Sequence, residues 1–237
     1  MEALNNFYNN FHKTMVVEDR YIYILEGLRN TVLISFFAII LGILIGGIIA
    51  LIMDYAKDKK KLRIINGICK GYINLIRGTP VVLQLMIIYY IIFRNITNIN
   101  LIFVGSLAFG INSSAYVAEI IRAGINSVNK GQKEAAASLG LNKIQTMKYI
   151  IAPQAIKSIL PTLGNEFIAL IKETAVAGYI GIMDLTKSSD IIASRTYDYF
   201  FPLIIVAIIY LIIVLYLTRI MGKLERRLNN DWDKGII

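Results

Sequence analysis

Long apolar blocks separated by short charged stretches set the pattern of this chain. Residues 32–53 carry no charged side chain and almost no polar one, which passes the roughly 18-residue threshold for a membrane-spanning helix. Similar blocks recur along the sequence. We read five spans: residues 28–53, 73–93, 101–121, 155 or 160 to 182, and 201–221. The blocks are continuous, not the roughly ten-residue alternating segments of a barrel, so they predict helices, whose backbone groups pair within their own segment in lipid. The expected fold class is all-α integral membrane. Pro80 offers no N–H, so the second helix should begin or bend there. Gly42 and Gly46 in the first span have the G-x-x-x-G spacing that permits close helix approach, either within the monomer or at a dimer seam. Residues 1–27 form an expected interfacial segment on the outer side, with residues 7–25 rich in Phe, Tyr and Asn. Glu2, Glu18, Asp19 and Glu26 make it unlike a secretory signal. No repeat or low-complexity linker interrupts the remainder, so residues 28–237 are expected to form a single domain.

Composition agrees with a membrane protein. The chain is 56% hydrophobic and 17% charged, against roughly 25% charged in soluble domains, with a mean hydropathy of +0.59. Its formal net charge of +9 does not sit on a basic domain, which argues against nucleic-acid binding. The positive charges fall between apolar blocks instead. Lys57, Lys59, Lys60, Lys61, Arg63 and Lys70 lie between the first two spans. Lys130, Lys133, Lys143, Lys148 and Lys157 lie between the third and fourth, and Lys223, Arg226 and Arg227 follow the fifth. The opposite side carries Arg94, and Lys187 and Arg195 offset by Asp184, Asp190 and Asp198. The positive-inside rule therefore places the N-terminus outside and the C-terminus in the cytoplasm.

The sequence offers little chemistry of its own. A single cysteine, Cys69, excludes an intrachain disulfide, and His12 is the only histidine. No His/Cys/Asp cluster has metal-ligand spacing. No G-x-x-x-x-G-K-[ST] loop is present to cradle ATP phosphates, and no nucleophile–base set is present either. An intramembrane enzyme would have only carboxylates to work with. No cofactor is expected on this chain, and energy must come from a partner.

The stretch 123–154, between the third and fourth spans, is long but neither Gly/Ser-rich nor disordered in composition. Residues 132–139 predict one helix, with Gly140 as its stop. Asn142 caps a second helical run through about residue 151, which Pro153 should end. Charges keep this helical pair out of lipid, and the small face of Ala135, Ala136, Ala137 and Gly140 lets another surface approach.

Glu134-Ala135-Ala136, then Gly140, Ile150 and Pro153, resembles the EAA loop of ABC importer permeases. The family pattern is EAA, three residues, Gly, nine residues, Ile, one residue, Leu-Pro. This chain departs from it only at Ala152, where Leu is usual. The stretch Arg77-Gly78-Thr79-Pro80 with Gln84 resembles the polar amino-acid permeases in particular. So do Ala115-Tyr116-Val117-Ala118-Glu119 with Arg122, the region 155–174 with Pro161, Asn165, Lys172 and Glu173, and Ser194-Arg195-Thr196-Tyr197. The resemblance runs from about Ile24 onward. It is to the histidine, glutamine, arginine and cystine permeases with a MetI-like transmembrane domain. It implies a coupling helix that docks on an ATPase subunit, two ATPase subunits carrying ATP and Mg, and a homodimer or heterodimer of permeases in a bacterial inner membrane. It also implies an external solute-binding protein. An ATP-independent channel or scaffold subunit is the rival reading, and such a protein needs no docking helix.

Polar groups at membrane depth are the candidate substrate residues. An ionisable side chain there costs roughly 2.5–3.5 kcal/mol on insertion scales unless paired or hydrated. The fourth span holds Asn165, Glu166, Lys172 and Glu173. Glu166 and Glu173 are seven residues apart, so they share a helix face that should meet a water-filled path or another subunit. Lys172 is a candidate counter-charge. Glu119 and Arg122, three apart, should pair. The expected substrate-binding set is Glu166, Asn165, Gln84 and Asp198, the last at the outer mouth of the fifth span. The expected substrate is a polar amino acid. The two carboxylates favour a basic one such as arginine, lysine or histidine, with glutamine, glutamate or cystine as the alternative.

Overall fold

The computed structural model describes residues 1–57 and 59–233, and every regular element among them is helical. In chain order these are α1 (Glu2–Phe11), α2 (Tyr21–Ala56), α3 (Arg63–Arg77), α4 (Val81–Ile87), α5 (Leu101–Ser127) and α6 (Lys130–Ser138). They continue with α7 (Lys143–Thr146), α8 (Ala152–Glu173), α9 (Leu185–Thr196) and α10 (Phe200–Asp233). The chain divides into two compact units. The first comprises Met1–Ala38, Pro80–Gly110 and Ala169–Tyr216, and the second Ile39–Thr79, Ile111–Ile168 and the chain from Leu217 onward.

Among the described residues three single helices are long and apolar enough to cross a membrane: Tyr21–Ala56, Leu101–Ser127 and Phe200–Leu228. Their lipid exposure differs. The most apolar window of α5 is 67% buried and that of α10 only 17%, so α10 presents most of its apolar surface outward. The expected second span is not continuous. α3 ends at Arg77 and α4 starts at Val81, with Pro80 extended at φ −62°, ψ 134° between them. The missing N–H of Pro80 explains the break, and Thr79 Oγ1 donates to the Leu75 carbonyl at 2.9 Å to close the end of α3. α4 then runs into a wider π turn, Ile88–Ile92. The fourth span also differs from expectation. α8 stops at Glu173 and gives way to a 3₁₀ segment, Thr174–Ile180, ended by Gly181 at φ +86°. Its polar residues keep it outside the set of apolar spans.

In the first unit, Met15, Ile24, Leu185, Ile192, Phe201 and Val206 form a buried core. The N-terminal segment is tied to it. Phe7 and Phe11 stack edge-on against Phe201, with ring centroids 5.0 and 5.7 Å away. Arg20 donates to the Lys13 carbonyl at 2.7 Å and pairs with Glu18 at 2.8 Å. α2 starts directly after this turn, at Tyr21 rather than residue 28, so Glu26 and Arg29 fall inside the helix. In the same unit, Asp184 caps α9 by accepting from the Thr186 N–H at 2.8 Å.

In the second unit, α2 lies close against α5. A Cβ built on Gly42 would stand 2.9 Å from Ser113 Oγ, so the glycine spacing of the first span serves packing within the chain. α3 packs on the same region of α5. Tyr72 Oη donates to the Ile111 carbonyl at 3.1 Å and lies 2.6 Å from Ser114 Oγ, above a core of Met53, Ile73, Ala115 and Ala118. Cys69 sits at the margin of that core, half-buried.

Candidate functional site

Two features of the second unit carry candidate function. The first is the helical pair α6–α7. Asn129 caps α6, its Oδ1 accepting from the Gly131 N–H at 2.8 Å. The helix ends through a left-handed Gly140 at φ +80°. Leu141 N–H donates to the Ala136 carbonyl at 3.1 Å and Gly140 N–H to the Ala137 carbonyl at 3.0 Å, which is the Schellman arrangement that glycine favours. Asn142 and Gln145 then form a capping box for α7, each side chain accepting from the other's backbone N–H at 2.9 Å. These contacts fix a rigid bend from sequence signals alone.

Two expectations for this loop change. The second helix does not end at Pro153. It passes through a π turn, Met147–Ile151, directly into α8, whose second residue is Pro153. The wider turn absorbs the donor that proline lacks, and Gln154 Nε2 donates to the Ile150 carbonyl at 2.8 Å. The alanine face also divides, since Ala136 is buried while Glu134, Ala135 and Ala137 remain exposed. The loop is anchored below by Ile125, Val128, Ile151 and Ala155, with Ile121, Met147 and Ile159 around them. Its outer surface keeps two large apolar side chains uncovered, Leu139 at 81% and Ile144 at 79% exposure. Beside it lies a groove of about 820 Å³ bordered by Lys57, Lys130, Lys133, Lys143 and Lys148. A rigid, charged, partly apolar surface of this kind is suited to docking another protein.

The second feature is the carboxylate of Glu166. Ser113, fully buried in α5, donates its hydroxyl to Glu166 Oε1 at 2.8 Å, and Gly42 packs on the same serine. Asn165, next along α8, is exposed. Ser113 belongs to a run Asn112-Ser113-Ser114 that is buried throughout. Sequence reasoning passed over it, although three consecutive polar residues inside an apolar span are a readable signal. The other two candidates lie in the first unit. Gln84 is buried in α4. Asp198 accepts from Thr14 Oγ1 at 3.0 Å and from the Phe200 N–H at 2.9 Å, which makes it the cap of α10 and an anchor for the N-terminal segment. Glu119 and Arg122 form the expected pair, with Nε and Nη2 on one edge of the guanidinium donating to the two carboxylate oxygens, and the Arg77 guanidinium stands 5.2 Å from the Tyr116 ring centroid. Among the described residues no three His, Cys, Asp or Glu side chains gather to hold a metal ion.

Comparisons with known proteins show the family of the chain. Residues 38–230 match the family model described as "Binding-protein-dependent transport system inner membrane component". A Rickettsia bellii protein provisionally named GlnP, the permease of a glutamine transport system, is 43% identical over 211 residues, covering 87% of this chain and 93% of its own. The arginine transport system permease protein ArtQ of Bacillus subtilis is 40% identical over 210 residues, covering 88% and 94%. Among solved structures, that of an amino acid ABC transporter with histidines superposes with a TM-score of 0.81 at 45% identity, covering 90% of this chain and 97% of that one. An inward-facing MetNI methionine ABC transporter superposes with a TM-score of 0.76 at 15% identity, which shows a shared fold.

Proposed function

The chain belongs to the inner membrane components of binding-protein-dependent transport systems, and on that premise we propose that it is the permease subunit of an ATP-driven importer for polar amino acids. The observation that carries this reading is the α6–Gly140–α7 bend. It presents Leu139 and Ile144 uncovered beside Glu134-Ala135-Ala136 and Gly140, whose spacing resembles the loop by which ABC importer permeases dock on their ATPase. In this role the exposed parts of Glu134, Ala135 and Gly140 meet the ATPase subunit, while Ala136, Ile150 and Pro153 hold the bend in shape. ATP and Mg are held by that partner. A second permease copy or relative and an extracytoplasmic solute-binding protein complete the assembly. Loop charges support an orientation with residues 1–27 outside, at the membrane interface, and the α6–α7 pair in the cytoplasm.

For the substrate, Glu166 with its Ser113 partner supports an anionic recognition point inside the membrane. This favours a basic amino acid, a guanidinium being a planar, bidentate match for a carboxylate. Relatives named for glutamine and for arginine support the polar class and both members of it. Asn165, next to Glu166 on α8, adds an exposed amide to this candidate set, and Gln84, buried in α4 of the first unit, is a separate candidate. The engagement of Asp198 with Thr14 and Phe200 favours a structural role for it. The test is reconstitution with the ATPase subunits and the binding protein, followed by a screen of amino acids for stimulated ATP hydrolysis. Stimulation by arginine, lysine, histidine or glutamine supports the reading. Hydrolysis-independent flux supports a channel.

A further inference from the structure

α3 is amphipathic in an unusual sense for a helix of a membrane protein. Ile64, Ile68 and Leu75 are exposed on one side. On another side Asn66, Lys70 and Asn74 recur every fourth residue and line a cavity of about 360 Å³. The wall facing them is a second polar stripe, Glu119, Arg122 and Asn126 of α5. Asp54 in the last turn of α2 and Lys57 just after it border the cavity, and Met53 and Ile73 give it an apolar floor. Two polar stripes turned toward each other, with Lys57, Lys70 and Asn126 exposed at the rim, describe a solvent-accessible polar cleft.

Its charges are of both signs. Glu119 is occupied by Arg122, which fixes one carboxylate and one guanidinium against each other. Lys57 reaches Asn126 Oδ1 at 3.4 Å, which brings its ammonium to the edge of the cleft. Asp54 and Lys70 remain as an anion and a cation facing the same space. A simple anion site would exclude Asp54, and a simple cation site would exclude Lys57 and Lys70. A zwitterion satisfies both, with its carboxylate toward the lysines and its ammonium toward Asp54. The amides and the apolar floor then suit a polar side chain on an aliphatic stem.

We infer that this cavity is a cytoplasm-facing binding site for the α-amino and α-carboxyl groups of the transported amino acid as it leaves the importer, an inference that rests on the proposed permease function. An amino acid held there from the cytoplasmic side favours the state that binds it, so product slows turnover.

The complete importer, reconstituted with its ATPase subunits facing outward and binding protein inside the vesicles, tests this. The probe is whichever of L-arginine and L-glutamine drives hydrolysis from the lumen. Adding the same amino acid outside should slow ATP hydrolysis. Lys70→Gln and Asp54→Asn should each raise the concentration required about tenfold, the worth of one charge-assisted hydrogen bond. The decarboxylated amine of the same amino acid should have little effect. An unaffected wild type, variants that respond like wild type, or an amine as effective as the amino acid would each overturn the site. Labelled amino acid enclosed in the same vesicles separates this from failure of the permease reading. If it emerges on ATP addition, the importer stands whatever the outside amino acid does. If it does not emerge, the permease reading itself fails.

Discussion

Gly46 of α2 lies so close to α5 that a Cβ there would stand 2.5 Å from the carbonyl oxygen of Ser114. Gly47, its neighbour, has only the tip of Ile121 near it, at 3.9 Å. The two glycines therefore make a matched pair. Gly46→Leu must push backbone against backbone, and overpacking of this kind costs about 1–3 kcal/mol. Gly47→Ala meets ordinary van der Waals contact. We expect the first to lower the thermal midpoint of the purified complex by several degrees and the second to leave it near wild type. Equal behaviour of the two would show that α2 and α5 are not in close contact here.

At Gly140 the sterics run the other way. An added side chain meets nothing within 4 Å, and the φ of +80° is one that Asp tolerates better than most residues. Gly140→Asp should therefore cost the isolated permease little, about 1 kcal/mol. If the α6–α7 bend docks on an ATPase subunit, the added bulk and charge fall in the interface. Transport and ATPase co-purification should drop while membrane insertion survives. Normal transport by this variant would remove the docking assignment.

Orientation is open to direct labelling. A cysteine at Lys60 or Lys143 should resist a membrane-impermeant thiol reagent in intact cells, and one at Asn98 should react. Cys69, half-buried beside Tyr72, should stay silent. The opposite pattern would place the α6–α7 pair on the wrong side for an ATPase.

Much of this was legible in the sequence because the signals are local. Gly140 and Asn142 announce a bend through backbone chemistry that needs no tertiary partner, and the structure closes it with the Schellman and capping-box contacts. The apolar run of α2 is legible for the same reason. What the sequence misplaced depends on irregular helical turns. The π turn Met147–Ile151 carries the chain into α8 and lets Pro153 sit where a regular helix would have stopped. Hydropathy alone also could not mark where α8 gives way to the 3₁₀ segment, since apolar residues continue on both sides of Lys172 and Glu173. The role of Ser113 was hidden because it needs a partner 53 residues away.

That partner makes the substrate question testable. Ser113 donates a neutral hydrogen bond to Glu166 Oε1, so contact and charge can be removed separately. Glu166→Gln keeps the size and can still accept from Ser113 through its amide oxygen. It removes only the charge. Ser113→Ala keeps the charge and removes the orienting contact. If Glu166 recognises a basic amino acid, Glu166→Gln should lower arginine or lysine uptake, and the ATPase stimulation that accompanies it, about tenfold, the worth of a hydrogen bond to a charged group. Ser113→Ala should have a smaller effect, and assembly with the ATPase should be unchanged in both. If Glu166 is structural, both variants should weaken assembly or stability together, and any residual uptake should keep its preference. Basic amino-acid uptake undiminished by Glu166→Gln, or transport of neutral amino acids alone, would remove Glu166 from recognition and leave the chain in the polar amino-acid class without an anionic selector.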